Sequence, residues 1–293
     1  LTTSILLLGS TGQVGWELNR ALLTLGDLTA LDFPEINMAD PASIRHVVRA
    51  AQPNIIVNAT AYTNVDQAES EPDLAMAING SGPGILAEEA QRLKAALIHY
   101  STDYVFDGKK GAPYTEQDTP APLSVYGETK LAGDRAIQAA NGAYLIFRTS
   151  WVYSLRRPCF VTKVLQWARQ HEALRIVDDQ VSSPTWARTL AEATAQVIAQ
   201  GRGDSIGYIQ EKRGLYNLTD GGACNRFEWA QAILELDPAR HKQVVTQVVA
   251  AKSSDFPTPA ERPENSALNG DKIAAAFQIN SPHWRTTLSM AME

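Results

Sequence analysis

Through the first half of the chain, short apolar runs alternate with stretches of helical periodicity. "SILLLG" (4–9) reads as a buried strand, followed by a helix through "VGWELNRALLTLG" that Gly26 closes. "DLTALD" (27–32) predicts a second strand, and "PASIRHVVRAA" (41–51) a helix with Pro41 near its start. "NIIVNAT" (54–60) predicts a third strand, and 73–93 a mostly helical segment with a Gly/Pro cluster in its middle. "AALIHYST" (95–102), "SVYGETKLAGDRAIQAA" (124–140) and "AYLIFRTS" (143–150) continue as strand, helix and strand. This alternation predicts an α/β fold: a Rossmann-type, doubly wound parallel sheet with helices on both faces. After residue 150 the pattern breaks up, with helices expected over 160–171, 186–200 and 226–237, a strand within 241–251 and a proline-rich loop over 255–269. The expected organisation is a nucleotide-binding domain over 1–150, rejoined by a helix and strand within 186–217. A smaller C-terminal substrate-binding lobe takes 151–185 and 218–293.

Composition narrows the class. At 293 residues, 44% apolar and 20% charged, the chain has the balance of a soluble globular protein. A net charge of −6 with no basic run argues against a nucleic-acid partner. The apolar runs fall far short of the ~20 residues that span a bilayer, and no secretory leader is visible, so no membrane partner and a cytoplasmic location are expected. Cys159 and Cys224 form no cluster, and His46, His99, His171, His241 and His283 are scattered, so no metal site is expected. The acidic "DQAESEPD" (66–73) reads as a helix start with a solvated face.

The chemistry begins at "GSTGQVG", where Gly9, Gly12 and Gly15 follow the first strand and open its helix. That context suits a dinucleotide-binding turn, which needs a tight bend, close backbone approach to a pyrophosphate and free amides at a helix N-terminus. Asp32 ends the second strand, where an acid accepts hydrogen bonds from ribose hydroxyls and repels a 2′-phosphate. No Lys or Arg follows it closely in "DFPEINMAD", which leans towards NADH. The fourth strand finishes "HYSTDYVFDG", which brings Thr102 and Asp103 to the carboxyl end of the sheet. "YGETK" then sets Tyr126 four positions before Lys130 on one helical face. A hydroxyl, a phenol and an ammonium at that end make an acid–base constellation: Tyr126 gives a proton to a carbonyl oxygen while Lys130 lowers its pKa and holds the nicotinamide ribose.

With "VNATAYTNVDQAESEP" (57–72), "LIFRTSWVY" (145–153), "VDDQVSSPT" (177–185) and "FPTPAERPENS" (256–266), these motifs resemble an extended short-chain dehydrogenase/reductase, and more closely the dTDP-4-dehydrorhamnose reductases. The resemblance implies reduction of the C4 ketone of dTDP-6-deoxy-L-lyxo-4-hexulose to dTDP-L-rhamnose, with NADPH or NADH as cofactor and a dTDP-sugar as partner. It implies Tyr126 as proton donor, Lys130 as its partner and Thr102 as the hydroxyl that orients the ketone. Gly12, Gln13 and Val14 would meet the cofactor phosphates, Asp32 the ribose, and Asn37 and Met38 the adenine. Ala61, Tyr62, Thr63 and Tyr100 would line the path to the nicotinamide. Thr102, Asp103, Tyr104 and Trp151 would face the sugar, and Arg262 the diphosphate.

The chain departs from the family pattern where "SLRRPCF" (154–160) replaces a glycine-rich loop ending in Asn-Phe, where Ser182 replaces a glycine, and where Asn37 replaces an acid. Some members dimerise through a metal held by acids near two helices. Glu17 keeps the first position and Arg188 stands at the second, so no metal bridge is expected and the chain is read as a monomer or weak homodimer. Two other readings compete: an epimerase or dehydratase on the same scaffold, disfavoured by the single acid in "STDY", and a non-catalytic regulatory subunit, which has no need of the whole Thr102–Tyr126–Lys130 set.

Overall fold

Six strands form one parallel sheet in the computed structural model, which describes residues 2–293. They are β1 (Ser4–Leu8), β2 (Asp27–Leu31), β3 (Ile55–Asn58), β4 (Ala96–Thr102), β5 (Ala143–Thr149) and β6 (Gly214–Asn217). Their order is β6-β5-β4-β3-β1-β2, with every neighbouring pair parallel. Side-chain alternation divides the aliphatic runs between two cores. Ile5, Leu7 and Ile98 pack on one face of the sheet, while Leu6, Leu8 and Leu97 pack on the other. Helices α1 (Gln13–Ala21) and α5 (Ala187–Gln200) cover the first face through Leu18, the C-capping Leu22, Leu190 and Val197. Helices α2 (Pro41–Ala51), α3 (Gly82–Leu93) and α4 (Val125–Ala140) cover the second through Ile44, Val48, Leu86 and Ile137. The strand order reverses between β1 and β3, so their carboxyl ends open a crevice there.

Four local features differ from the sequence-based expectation. Helix α1 stops at Ala21 rather than running to Gly26: the Leu25 N–H turns to the Leu22 carbonyl at 3.0 Å, and Gly26 then packs on Thr3, where a Cβ would sit 2.0 Å from the carbonyl oxygen. The 73–93 segment is helical throughout but carries a π-turn at Ala77–Ser81, between a short helix (Pro72–Met76) and α3. Only Gln247–Ala251 of the 241–251 segment is extended, and it pairs in parallel with Ala173–Val177, a strand too amphipathic and short to stand out in the sequence. Finally, the unforeseen helix Asp271–Phe277 packs Ile273 and Phe277 into the α1/α5 side of the central sheet, so the expected 218–293 lobe is divided between two cores.

A third core, away from the sheet, is aromatic. Tyr153, Val161, Trp229, Ile233, Trp284 and Leu288 gather there, drawn from 153–176, 224–236 and 284–292. Two-residue strands stitch this region to the sheet's carboxyl end, with Val152–Tyr153 parallel to Thr185–Trp186 and Val181–Ser182 antiparallel to Cys224–Asn225. No helix among the described residues is long and apolar enough to cross a membrane.

Candidate active site

At the β1/β3 switch point lies a cleft of about 640 Å³, within the range of small-molecule sites. Gly9, Gly12, Gln13, Val14, Asp32, Asn37, Met38, Ala61, Thr63, Tyr100, Tyr126 and Lys130 all line it. Gly9 has φ +83°, and a Cβ there would come within 2.9 Å of the Ala59 backbone. Gly15 does not line the cleft but lets α1 close on the loop, since its Cβ would fall 1.8 Å from the Gly9 carbonyl oxygen. Tyr62 turns away from the cleft: its hydroxyl donates to Glu71 Oε2 at 2.6 Å, and partial burial with this bond pushes the phenol up to about 12. The segment that carries it is pinned by Asn79, which accepts the Tyr62 N–H at 2.8 Å and donates to the Tyr62 carbonyl at 3.1 Å. Asn79 belongs to the π-turn, a geometry common at functional sites.

Three buried polar atoms on this cleft, Gln13 Oε1, Ser101 Oγ and Thr149 Oγ1, have no hydrogen-bond partner among the described residues. Buried polar atoms are nearly always bonded, so a ligand with its own donors and acceptors fits here. Together with the glycine cradle they meet the needs of a dinucleotide. Asp32 lines the cleft beside the glycine turn. Its Oδ2 accepts the Thr11 N–H at 2.9 Å and the Thr11 hydroxyl at 2.6 Å, and its Oδ1 accepts the Phe33 N–H at 2.8 Å. Burial opposes its ionisation, but these bonds and the nearby Arg157 leave its pKa below the usual carboxylate value. The local sequence showed no cation beside Asp32; the fold supplies one, as Arg157 donates to Thr11 Oγ1 at 3.0 Å and lines the same cleft. The lean towards NADH therefore loses its premise, because the missing cation arrives from a distant loop. Phe33, exposed at 74%, is a further cleft residue that hydrophobic patterning did not single out.

The proposed reacting groups meet at the other end. Ser124 caps α4, accepting the Gly127 N–H at 3.3 Å, and so starts the helix just before Tyr126, which sits one turn ahead of Lys130. The Tyr126 ring lies edge-on to Tyr104 at 5.7 Å between centroids. Burial pushes the Tyr126 phenol well above its ordinary value, the neighbouring Thr102 hydroxyl pulls it back, and Asp103, Tyr104 and Asp134 push it further up. Lys130 is not among the groups that move it, contrary to the expectation of a direct depression. The amine instead donates to the Tyr100 carbonyl at 2.6 Å and faces His99 Nε2 at 3.3 Å. Burial draws Lys130 down to about 8, with Asp134 pulling the other way.

His99 is a structural component of this site that scattered histidines did not suggest. Its Nδ1 lies 3.0 Å from Asn58 Nδ2. Asn58 Oδ1 is already held by the Thr60 N–H at 3.1 Å and hydroxyl at 2.5 Å, which fixes the amide so that Nδ2 donates to the ring. Nδ1 then accepts in that bond, and the donor in the Nε2 contact with Lys130 depends on the charge of the amine. Burial, with Lys130 alongside, holds His99 well below its usual pKa and keeps it neutral.

Asp103 is 2% exposed and fully engaged. Its Oδ2 accepts from the Ser182 hydroxyl at 3.0 Å and the Ser266 hydroxyl at 2.6 Å, and its Oδ1 from Thr102 at 3.1 Å. Burial raises it to about 6 against those three bonds. Ser182, the departure from a family glycine, therefore acts through its hydroxyl within a regular two-residue strand.

Trp151, expected to face the sugar, has φ +41°, an uncommon backbone state for a bulky residue, and belongs to an aromatic stack. Trp229 stacks on it at 5.4 Å, and the Arg226 guanidinium lies 3.7 Å from its ring centroid. Trp151 is thus a member of a cluster rather than a free platform. Arg262 is not free either: it pairs with Asp66 at 2.8 Å and donates to the Ala260 carbonyl at 3.0 Å. Arg226 has no carboxylate within salt-bridge distance among the described residues. With Arg262, Phe160 and Trp167 it lines a cavity of about 580 Å³. The sequence signal for Arg226 was weak, a lone arginine at a helix start, and its aromatic setting is tertiary.

Residues 3–293 match the family described as the RmlD substrate binding domain. The dTDP-4-dehydrorhamnose reductase of Escherichia coli strain K12 is 41% identical over 96% of this chain and 94% of its own length. That of Burkholderia thailandensis is 38% identical over 98% and 97%. The crystal structure of the dTDP-4-dehydrorhamnose reductase of Bacillus anthracis in complex with NADP superposes with a TM-score of 0.89 at 29% identity, covering 99% of this chain and 98% of that one. The chain therefore belongs to the RmlD family, that of the dTDP-4-dehydrorhamnose reductases.

Proposed function

We propose that this protein reduces the C4 ketone of dTDP-6-deoxy-L-lyxo-4-hexulose to the secondary alcohol of dTDP-L-rhamnose, using NADPH or NADH. The observation that carries the reading is that Tyr126 and Lys130 line the same cleft as the glycine cradle, with the Thr102 hydroxyl beside the Tyr126 phenol. Gly12, Gln13 and Val14 hold the pyrophosphate, Asp32 and Thr11 the adenosine ribose, and Lys130 the second ribose. When bound, the nicotinamide supplies the hydride that the ketone carbon takes up. Tyr126 donates its phenolic proton to the ketone oxygen as that oxygen gains charge, and the Thr102 hydroxyl orients the same oxygen by a hydrogen bond. A phenol raised by burial stays protonated at neutral pH, as a donor must, and an alkoxide is the stronger base, so the transfer runs downhill. Arg226 and Arg262 supply cations for the substrate diphosphate, with Arg226 the one not committed to a carboxylate.

The division of labour that goes with this chemistry gives the cofactor to 1–150 with 186–217, and the sugar nucleotide to 151–185 with most of 218–293. A cytoplasmic monomer or weak homodimer is the form we propose. The ion pair of Arg188 with Glu192 at 2.6 Å is a reason to expect no metal bridge near Glu17. The test follows NADPH and NADH absorbance with dTDP-4-keto-6-deoxysugar that has or has not been epimerised at C3 and C5. Oxidation confined to the epimerised sugar is the expected result. Cofactor binding without oxidation of either sugar would sink the proposal and favour a regulatory role.

A further inference from the structure

We infer that Arg157 is the anchor for a phosphate monoester on the 2′-oxygen of the adenosine ribose, so that this chain accepts NADPH through a residue of its substrate-side loop; the inference rests on the cofactor reading above. Asp32 alone argues for an unphosphorylated ribose, since a carboxylate and a phosphate repel. In the fold, however, the Arg157 guanidinium reaches the same corner. Its Nη2 donates to Thr11 Oγ1 at 3.0 Å, and that hydroxyl donates to Asp32 Oδ2 at 2.6 Å. The three side chains form a chain of bonds at the mouth of the cleft, where Arg157 and Asp32 both line the wall. No carboxylate lies within salt-bridge distance of Arg157 among the described residues. Four of its five N–H donors make no bond among the described residues, which leaves a planar fork suited to a phosphate.

The loop that carries it is fastened rather than free. Arg156 lays its guanidinium over the Trp16 ring of α1 at 3.4 Å, and its N–H bonds to Ser154 Oγ at 3.3 Å. Beyond Pro158, Cys159 caps the next helix, with its N–H held by Thr162 Oγ1 at 2.8 Å. A cation presented by a tethered loop loses less freedom on binding than one on a free strand, which favours a measurable contribution. The same loop joins Trp151 of the aromatic stack to the glycine turn, so cofactor choice is built partly from the substrate side.

The test measures equilibrium binding of NADPH and NADH to the full chain, by calorimetry without substrate, for the wild type, Arg157→Ser and Arg157→Lys. Arg157→Ser should weaken NADPH binding about tenfold or more, the loss of a charge-assisted, bidentate-capable contact, while NADH binding changes by less than about twofold. Arg157→Lys should fall between, since the charge remains and the fork does not. Unchanged NADH binding also reports that the variants fold. Equal weakening of both nucleotides, or no change in their ratio, would overturn the inference while leaving the cofactor reading intact. Failure of the wild-type chain to bind either nucleotide would remove both.

Discussion

Tyr126 has a phenol that burial keeps protonated, and no neighbouring cation undoes this in the protein alone. Its removal therefore deletes the proton donor and little else: Tyr126→Phe should lower kcat by roughly 10²–10⁴ while calorimetry finds NADPH binding within a factor of about two. Asp103 tests the electrostatics beside it. With its folded pKa raised to about 6, the folded state keeps a proton that the unfolded chain loses near its ordinary value of ~4. Bound protons then favour the folded state, and stability falls as pH rises through that window. Relative to Asp103→Asn, the wild type should lose on the order of a few kcal/mol between pH ~4 and ~6 and no more above it. Urea titrations at several pH values read this directly, and a flat difference would show that the three hydroxyl donors hold Asp103 ionised throughout. Asp220, also raised to about 6, is present in both proteins and cancels.

At the scale of elements, the reacting groups are only as well placed as α4. That helix presses against the π-turn so closely that a Cβ on Gly133 would meet the Asn79 carbonyl oxygen at 2.2 Å. Asn79 in turn holds the backbone of Tyr62 and donates to Thr129 at 3.3 Å. Gly133→Ala should thus cost ~1–3 kcal/mol of stability, typical of overpacking, and lower kcat because α4 shifts with Tyr126 and Lys130 on it. Thermal melts and steady-state rates on the same preparation separate the two effects; a stable variant with undiminished kcat would mean the helix can give way without moving the site. The helix itself was predictable, since Ser124 and the 124–140 periodicity mark it. The π-turn was not, because its extra residue is set by what α4 packs against.

Over the whole molecule, an acidic chain must bind a doubly charged nucleotide sugar beside a dinucleotide. Its answer is a few cations held close by aromatic rings and carboxylates. Arg226 leans on Trp151, and on Phe160 at 4.8 Å, while its charge has no carboxylate partner within reach among the described residues. Arg226→Gln should raise KM for the dTDP-sugar about tenfold or more, the scale of a charge-assisted bond, with NADPH affinity unaffected. An unchanged KM would assign the diphosphate to Arg262 instead, despite its pairing with Asp66.

Much of this could be read from the chain because it is local. The aliphatic runs of β1, β3 and β4, the Pro41 start of α2, the glycine turn and the Tyr126–Lys130 spacing are each a matter of a few consecutive residues, where periodicity and backbone freedom leave few choices. What the folded molecule decided are contacts between residues far apart in sequence. Arg157 beside Asp32, His99 against Lys130, Arg226 in its aromatic cage and the Asp271–Phe277 helix returning to the central sheet all depend on packing that no window of sequence contains. A short, lone charge or a seven-residue helix carries too little local pattern to announce a partner. Only burial and the accounting of every donor and acceptor in the folded state choose one.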